Sequence, residues 1–198
     1  MKGSLGWRVR SSPGNGGRFF CPLEGGDRDY IRSDVRRWFA PFGIPLWSSH
    51  RLGEYIRCVE CQQTFTTEVL EILTTEEMSI RLERAAVMLL STMAARSGDS
   101  DTVREVAERE LRRYVRHPFT AHVGGEAWKL EDLVEAVSSA AVNMEHLGRR
   151  GLFAAAVRVA HANGSLTSQA FAALHAAGGA LRLPMPTIRT LIISAGVG

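Results

Sequence analysis

Cys21, Cys58 and Cys61 are the residues whose type and spacing best carry chemistry in this chain. Cys58-Val59-Glu60-Cys61 has the C-x2-C spacing that lets two thiolates converge on one ion while the intervening amides turn toward sulfur. A second such pair would complete a tetrahedral site, but Cys21-Pro22-Leu23-Glu24 carries a carboxylate where the fourth thiol would fall. The expected cofactor is structural zinc. Glu24 stands in the right place for the fourth ligand, since carboxylate oxygen ligates zinc at about 2.0–2.2 Å. His50, Asp27 and water are the alternatives, and the competing reading is a domain that has lost its metal and holds by packing of Trp38, Phe39, Phe42 and Tyr55. No base is paired with the cysteines at a readable spacing, so a catalytic metal is not expected.

These cysteines must be positioned by short β-prone pieces at 29–39, 43–47, 54–58 and 64–67, punctuated by glycine and proline. The expectation is a small zinc-ribbon-like β domain over residues 19–70. About fifty residues is a marginal size, and a structural zinc supplies roughly 10–16 kcal/mol of apparent binding energy that becomes folding energy. Residues 1–18 are rich in glycine and serine and basic, and are expected to form a flexible arm.

From residue 74 the pattern is helical. Thr74 to Glu77 reads as a capping box, followed by Met78, Leu82, Ala85, Leu89 and Met93 at three- and four-residue steps to about Arg96. A second helix, capped by Thr102 with Glu105, carries Val103, Val106, Ala107, Leu111 and Tyr114 and stops at His117-Pro118. A third is expected over 128–147 with Gly148 as its stop, a fourth from Leu152 to Asn163-Gly164, and a fifth over 167–177 with Phe171 and Leu174 inward. Gly178-Gly179 precedes a last helix opened by Pro186. The fold class expected is therefore mostly α, a small zinc-ribbon-like domain followed by a bundle of helical hairpins over 74–198.

The unit helix, Ser97-Gly98-Asp99-Ser100-Asp101, helix returns as helix, Asn163-Gly164-Ser165-Leu166-Thr167, helix. This duplicated hairpin resembles the tellurite-resistance TerB-like family, and its union with an N-terminal cysteine domain resembles actinobacterial proteins of that type over residues 19–193. The resemblance implies an all-helical bundle, a divalent site at acidic Asp-Gly turns, and a role in tellurite-resistance, envelope-stress or phage-defence assemblies. Here Ser97-Gly98 and Asn163-Gly164 replace Asp-Gly, and Ala170 stands where the second hairpin's glutamate would fall. Asp99, Asp101 and Glu105 retain some acid in the first turn; helix capping is their expected role, with at most a weak divalent site.

The whole chain has 198 residues and a net charge of +3, a balance that permits an anionic partner without requiring one. An odd cysteine count and the lack of a signal-like start argue for a reducing, cytoplasmic setting. No run approaches the roughly 20 apolar residues of a membrane span. Nucleophile elbows and phosphate loops are absent from the sequence, and the six histidines are scattered. Two function classes follow. The first is a non-enzymatic adaptor with a protein partner; the second is a nucleic-acid reader in which Arg28, Arg32, Arg36 and Arg37 neutralise phosphates.

Overall fold

The structure is a computed structural model that describes residues 6–41, 44, 46–98, 100–115 and 127–195. The chain divides into two compact units, Met1–Glu77 and Met78–Gly198.

The first unit is a curled antiparallel sheet of β1 (Gly6–Cys21), β2 (Gly26–Ala40), β3 (Trp47–Cys58) and β4 (Thr64–Phe65), in that spatial order. This corrects the expected fold class. Strands of 16, 15 and 12 residues make a substantial sheet rather than a small zinc-ribbon-like appendage, and Gly6 to Arg18 belong to β1 rather than to a flexible arm. Residues 1–5 of that expected arm lie outside the described residues. The composition of the segment misleads because its glycines and serines mask an alternation, Trp7-Arg8-Val9-Arg10, that pairs in register with Phe39, Trp38, Arg37 and Arg36. A bulge between Pro13 and Gly16 absorbs the glycine run without ending the strand.

Opposed residues of antiparallel strands share a face, so the register fixes two surfaces. One carries Phe19, Cys21, Tyr30, Ile56, Cys58 and Phe65, and the 3-10 turn Thr67–Glu71 closes over it with Val69. The other carries Trp7, Val9, Phe39 and Trp47.

The rest of the chain is helical, and the first turn of its first helix, up to Glu77, still belongs to the first unit. α1 (Thr75–Ser97) begins at the expected capping box: Thr74 N–H donates to Glu77 Oε2 at 2.9 Å and Glu77 N–H to Thr74 Oγ1 at 3.2 Å. Asp27 Oδ1 accepts the Thr75 N–H at 2.8 Å and strengthens the same start. α2 (Asp101–Leu111) is capped by Ser100, whose hydroxyl accepts from Val103 N–H, rather than by Thr102. The expected stop at His117-Pro118 lies outside the described residues. α3 (Leu130–Ala141) ends six residues before the end expected for the third helix, and α4 (His146–His161) is the expected fourth helix, beginning six residues before Leu152. The break falls at residues 142–145, where Arg149 Nε donates to the Met144 carbonyl at 2.9 Å, and Gly148 lies inside α4 instead of ending a helix. α5 (Ser168–Ala180) runs through Gly178-Gly179, capped by Thr167, and α6 (Met185–Ala195) packs back through Ile188 and Ile192.

Gly178 is buried at a close approach, where a Cβ would lie 2.6 Å from Ile188 Cδ1. Leu174 is buried but Phe171, expected inward, is exposed and meets His175 edge-on. The two hairpin turns meet: Thr167 Oγ1 donates to the Arg96 carbonyl at 2.7 Å and Asn163 Nδ2 to the Ser97 carbonyl at 3.4 Å. A buried Glu110 takes a bidentate pair from Arg158 at 2.9 and 2.7 Å.

Candidate metal centre

Cys21 ends β1, Cys58 ends β3, and Cys61 follows in the turn after β3. All three are free thiols whose sulfur atoms lie within 4.8 Å of one another, with Cys21 Sγ and Cys61 Sγ 3.8 Å apart. Two thiolates bound to one zinc at 2.3 Å with tetrahedral angles would be separated by about 3.8 Å. The donor set and its spacing therefore fit a metal ion.

The two turns that present the sulfurs repeat each other. Cys21 and Cys58 each open a turn whose fifth residue is left-handed, Gly25 at φ 65° and Gln62 at φ 59°. Gly25 N–H returns to the Cys21 carbonyl at 2.9 Å, and Cys58 N–H reaches the Gln63 carbonyl at 3.0 Å. In this correspondence Glu24 stands where Cys61 stands in the other turn. Its carboxylate lies 3.8 Å from the Arg28 guanidinium, and the ligand cluster among the described residues comprises the three thiols alone.

Burial of Cys21 opposes ionisation, but the amides of Glu24 and Leu23 and the neighbouring thiols outweigh it and hold its pKa below the ordinary thiol value. At Cys61 the Gln63 amide favours the thiolate, while desolvation and the Cys58 and Cys21 sulfurs prevail and push its pKa up. Amides turned toward sulfur are what a thiolate ligand requires.

The other expected site residues are dispersed. Asp27 serves the start of α1. His50 lies in β3, eight residues and so roughly 26 Å of strand from Cys58. Arg28 is engaged with Glu24 and the Asp27 carbonyl, and Arg32 with Glu54 at 2.8 Å. Arg37 stacks over Trp7 at 4.8 Å on the face opposite Arg36, so the four arginines do not form one surface. Asp101 pairs with Arg104 at 3.2 Å, Glu105 is exposed, and Asp99 lies outside the described residues.

Sequence reasoning missed an aromatic ladder. Trp7, Phe39 and Trp47 lie in register on three strands, with ring centroids 5.4 and 4.8 Å apart. Trp7 and Trp47 are 46% and 55% exposed, and Val9 and Leu52 are exposed in the same unit. The signal was available as alternation around Trp7 inside the glycine-rich segment.

No family model matches the chain, and no curated protein or solved structure matches it. Among the described residues, no helix is long and apolar enough to cross a membrane.

Proposed function

We propose that this chain is a non-enzymatic adaptor whose sheet unit is held by a structural zinc and docks a protein partner through its aromatic face. The observation that carries the adaptor reading is the Trp7–Phe39–Trp47 ladder. Aromatic side chains in register on a sheet normally lie under a second layer, and such exposed contiguous surface marks interaction sites. Arg37 over Trp7 and Arg57 beside Tyr55 border the same face with positive charge, so the partner suited to it offers an apolar strand or loop flanked by carboxylates.

The zinc assignment rests on the three converging thiols, with Cys21, Cys58 and Cys61 as ligands and Glu24 or water in the fourth position. Three reduced thiols suit a cytoplasmic setting. The link to tellurite, envelope-stress or phage-defence assemblies rests on the TerB-like resemblance of the hairpins.

The adaptor reading is tested by a photo-crosslinking amino acid at Val9 in the native cell. The expected result is one predominant protein adduct that disappears in a Trp7→Ser, Trp47→Ser background. An adduct pattern unchanged by those substitutions, or none at all, would reject the ladder as the docking surface.

A further inference from the structure

The cysteine-bearing face of the sheet continues past its small core into a second region with different chemistry. Next to the core, Arg32 pairs with Glu54, while Arg51 pairs with Asp34 and Glu54. Beyond these carboxylates come Arg8 and Arg10 of β1 and Arg36 and Trp38 of β2. Arg10 is directly opposite Arg36, and Arg36 is directly opposite Arg51. Like charges opposed across strands destabilise a sheet, and here the opposition runs across three strands. Arg51 is compensated by its two carboxylates, whereas Arg8, Arg10 and Arg36 are exposed and no acidic partner is found for them among the described residues.

With strands about 4.8 Å apart and about 3.4 Å per residue, the row spans roughly 10 Å across the sheet, and Arg8 lies roughly 7 Å further along β1. Trp38 is opposite Arg8 on the same face, partly buried, and its indole Nε1–H has no partner among the described residues. The region thus combines guanidinium groups that folding leaves uncompensated with an aromatic ring beside them.

The geometry points to a single-stranded nucleic acid bound across this face, its phosphates on Arg8, Arg10 and Arg36 and a base against Trp38. Guanidinium forks match phosphate oxygens, and a cationic track beside an aromatic ring is how single strands are held without sequence reading. The charge complementarity is to a polyanion. An acidic peptide would want pockets for its own side chains, and the described side chains here are Arg8, Arg10 and Arg36 around Trp38, with Ser48 opposite the tryptophan and the carboxylates Asp34 and Glu54 held by Arg51 at the border. This surface is separate from the aromatic ladder and goes beyond the adaptor reading, so either can fail alone.

The test uses the full zinc-loaded chain and a fluorescent 20-nucleotide oligo-dT, followed by anisotropy. For three or four phosphates on a single strand, affinity should fall about 20- to 50-fold between 50 and 200 mM salt. Arg8→Ser, Arg10→Ser and Arg36→Ser together should weaken binding at least tenfold and flatten the salt slope by about 2, while the corresponding triple lysine variant keeps most of the slope. Arg37→Ser with Arg57→Ser, on the opposite face, should change affinity less than twofold.

Crosslinking wild type to a bromouracil-substituted strand should mark Trp38, which keeps the test valid if the serine variant misfolds. Undetectable binding at 50 mM salt would overturn the proposal, as would equal losses from both faces, adducts confined to Trp7 and Trp47, tighter binding of the matched duplex, or displacement by poly-glutamate at equal charge.

Discussion

If zinc occupies the three-thiol cluster as proposed, removing it should melt the sheet and leave the helices standing. The buried cluster around the cysteines consists of Phe19, Cys21, Ile56, Cys58 and Val69, with Tyr30, Phe65 and Leu70 partly buried against it. Leaving aside the two ligands, three buried apolar side chains remain, each contributing about 1.5–3 kcal/mol on burial. Together they supply about 5–9 kcal/mol, against roughly 10–16 kcal/mol for a structural zinc, so the proposed zinc would be the largest single stabilising contribution to this unit. The helical unit has its own core, around Leu89, Met93, Leu133, Phe153 and Leu174.

The assay follows from where the tryptophans lie: Trp7, Trp38 and Trp47 are in the sheet, and Trp128 precedes α3. Excess chelator, or Cys58→Ser, should shift tryptophan emission to the red while the helical circular-dichroism signal at 222 nm is largely retained. Unchanged emission after the metal has been stripped would refute this reasoning, and so would loss of both signals in one transition.

Other perturbations test separate parts of the account. Glu24→Cys should tighten zinc binding, measured by competition with a chromophoric chelator, because it gives the first turn the thiol that Cys61 gives the second; weaker binding would count against the correspondence of the turns. Glu110→Gln removes the charge and one acceptor of a bidentate pair whose bonds are worth about 1.5–3 kcal/mol each, together with the ion pair to Arg113. Arg158 is 40% exposed and can turn to water, so the expected net loss is about 2–3 kcal/mol, or about 6–12 °C in the melting temperature of the helical unit.

Bonding to Arg158 overcomes desolvation and holds the Glu110 pKa below its ordinary value of 4.5. The pair's contribution is therefore complete above that value and is lost as pH falls through the lower folded pKa. Wild type and Glu110→Gln should converge in stability in that acid range. Gly178→Ala should cost about 1–3 kcal/mol by thermal melting, since Ile188 and Phe153 are themselves buried and cannot move aside cheaply; a neutral result would mean that α5 and α6 are more loosely packed than described.

The helical half was legible where side chains act on their own backbone. The capping box at Thr74 and Glu77 and the buried stripe of Ala85, Leu89 and Met93 follow from spacing alone. Boundaries failed where tertiary contact outweighs local preference. Gly178 stays helical because Ile188 and Phe153 need its empty side, and Gly148 stays helical because α4 starts before it. In the sheet, Cys58-x2-Cys61 was readable as half a site, and the structure brings Cys21 to it from 40 residues away. The extent of the sheet was hidden because Gly14, Gly16 and Gly17 resemble a linker, and only pairing with β2 makes them strand. The same pairing decides which arginines share a face, a property that charge counting along β2 cannot supply.

The most direct test of the metal centre is X-ray absorption at the zinc edge on the intact, purified chain, with metal per chain measured on the same sample. The account predicts close to one zinc per chain, three sulfur scatterers near about 2.3 Å and one oxygen near about 2.0–2.2 Å. A folded sheet with no bound metal, or zinc surrounded only by oxygen and nitrogen, would contradict it.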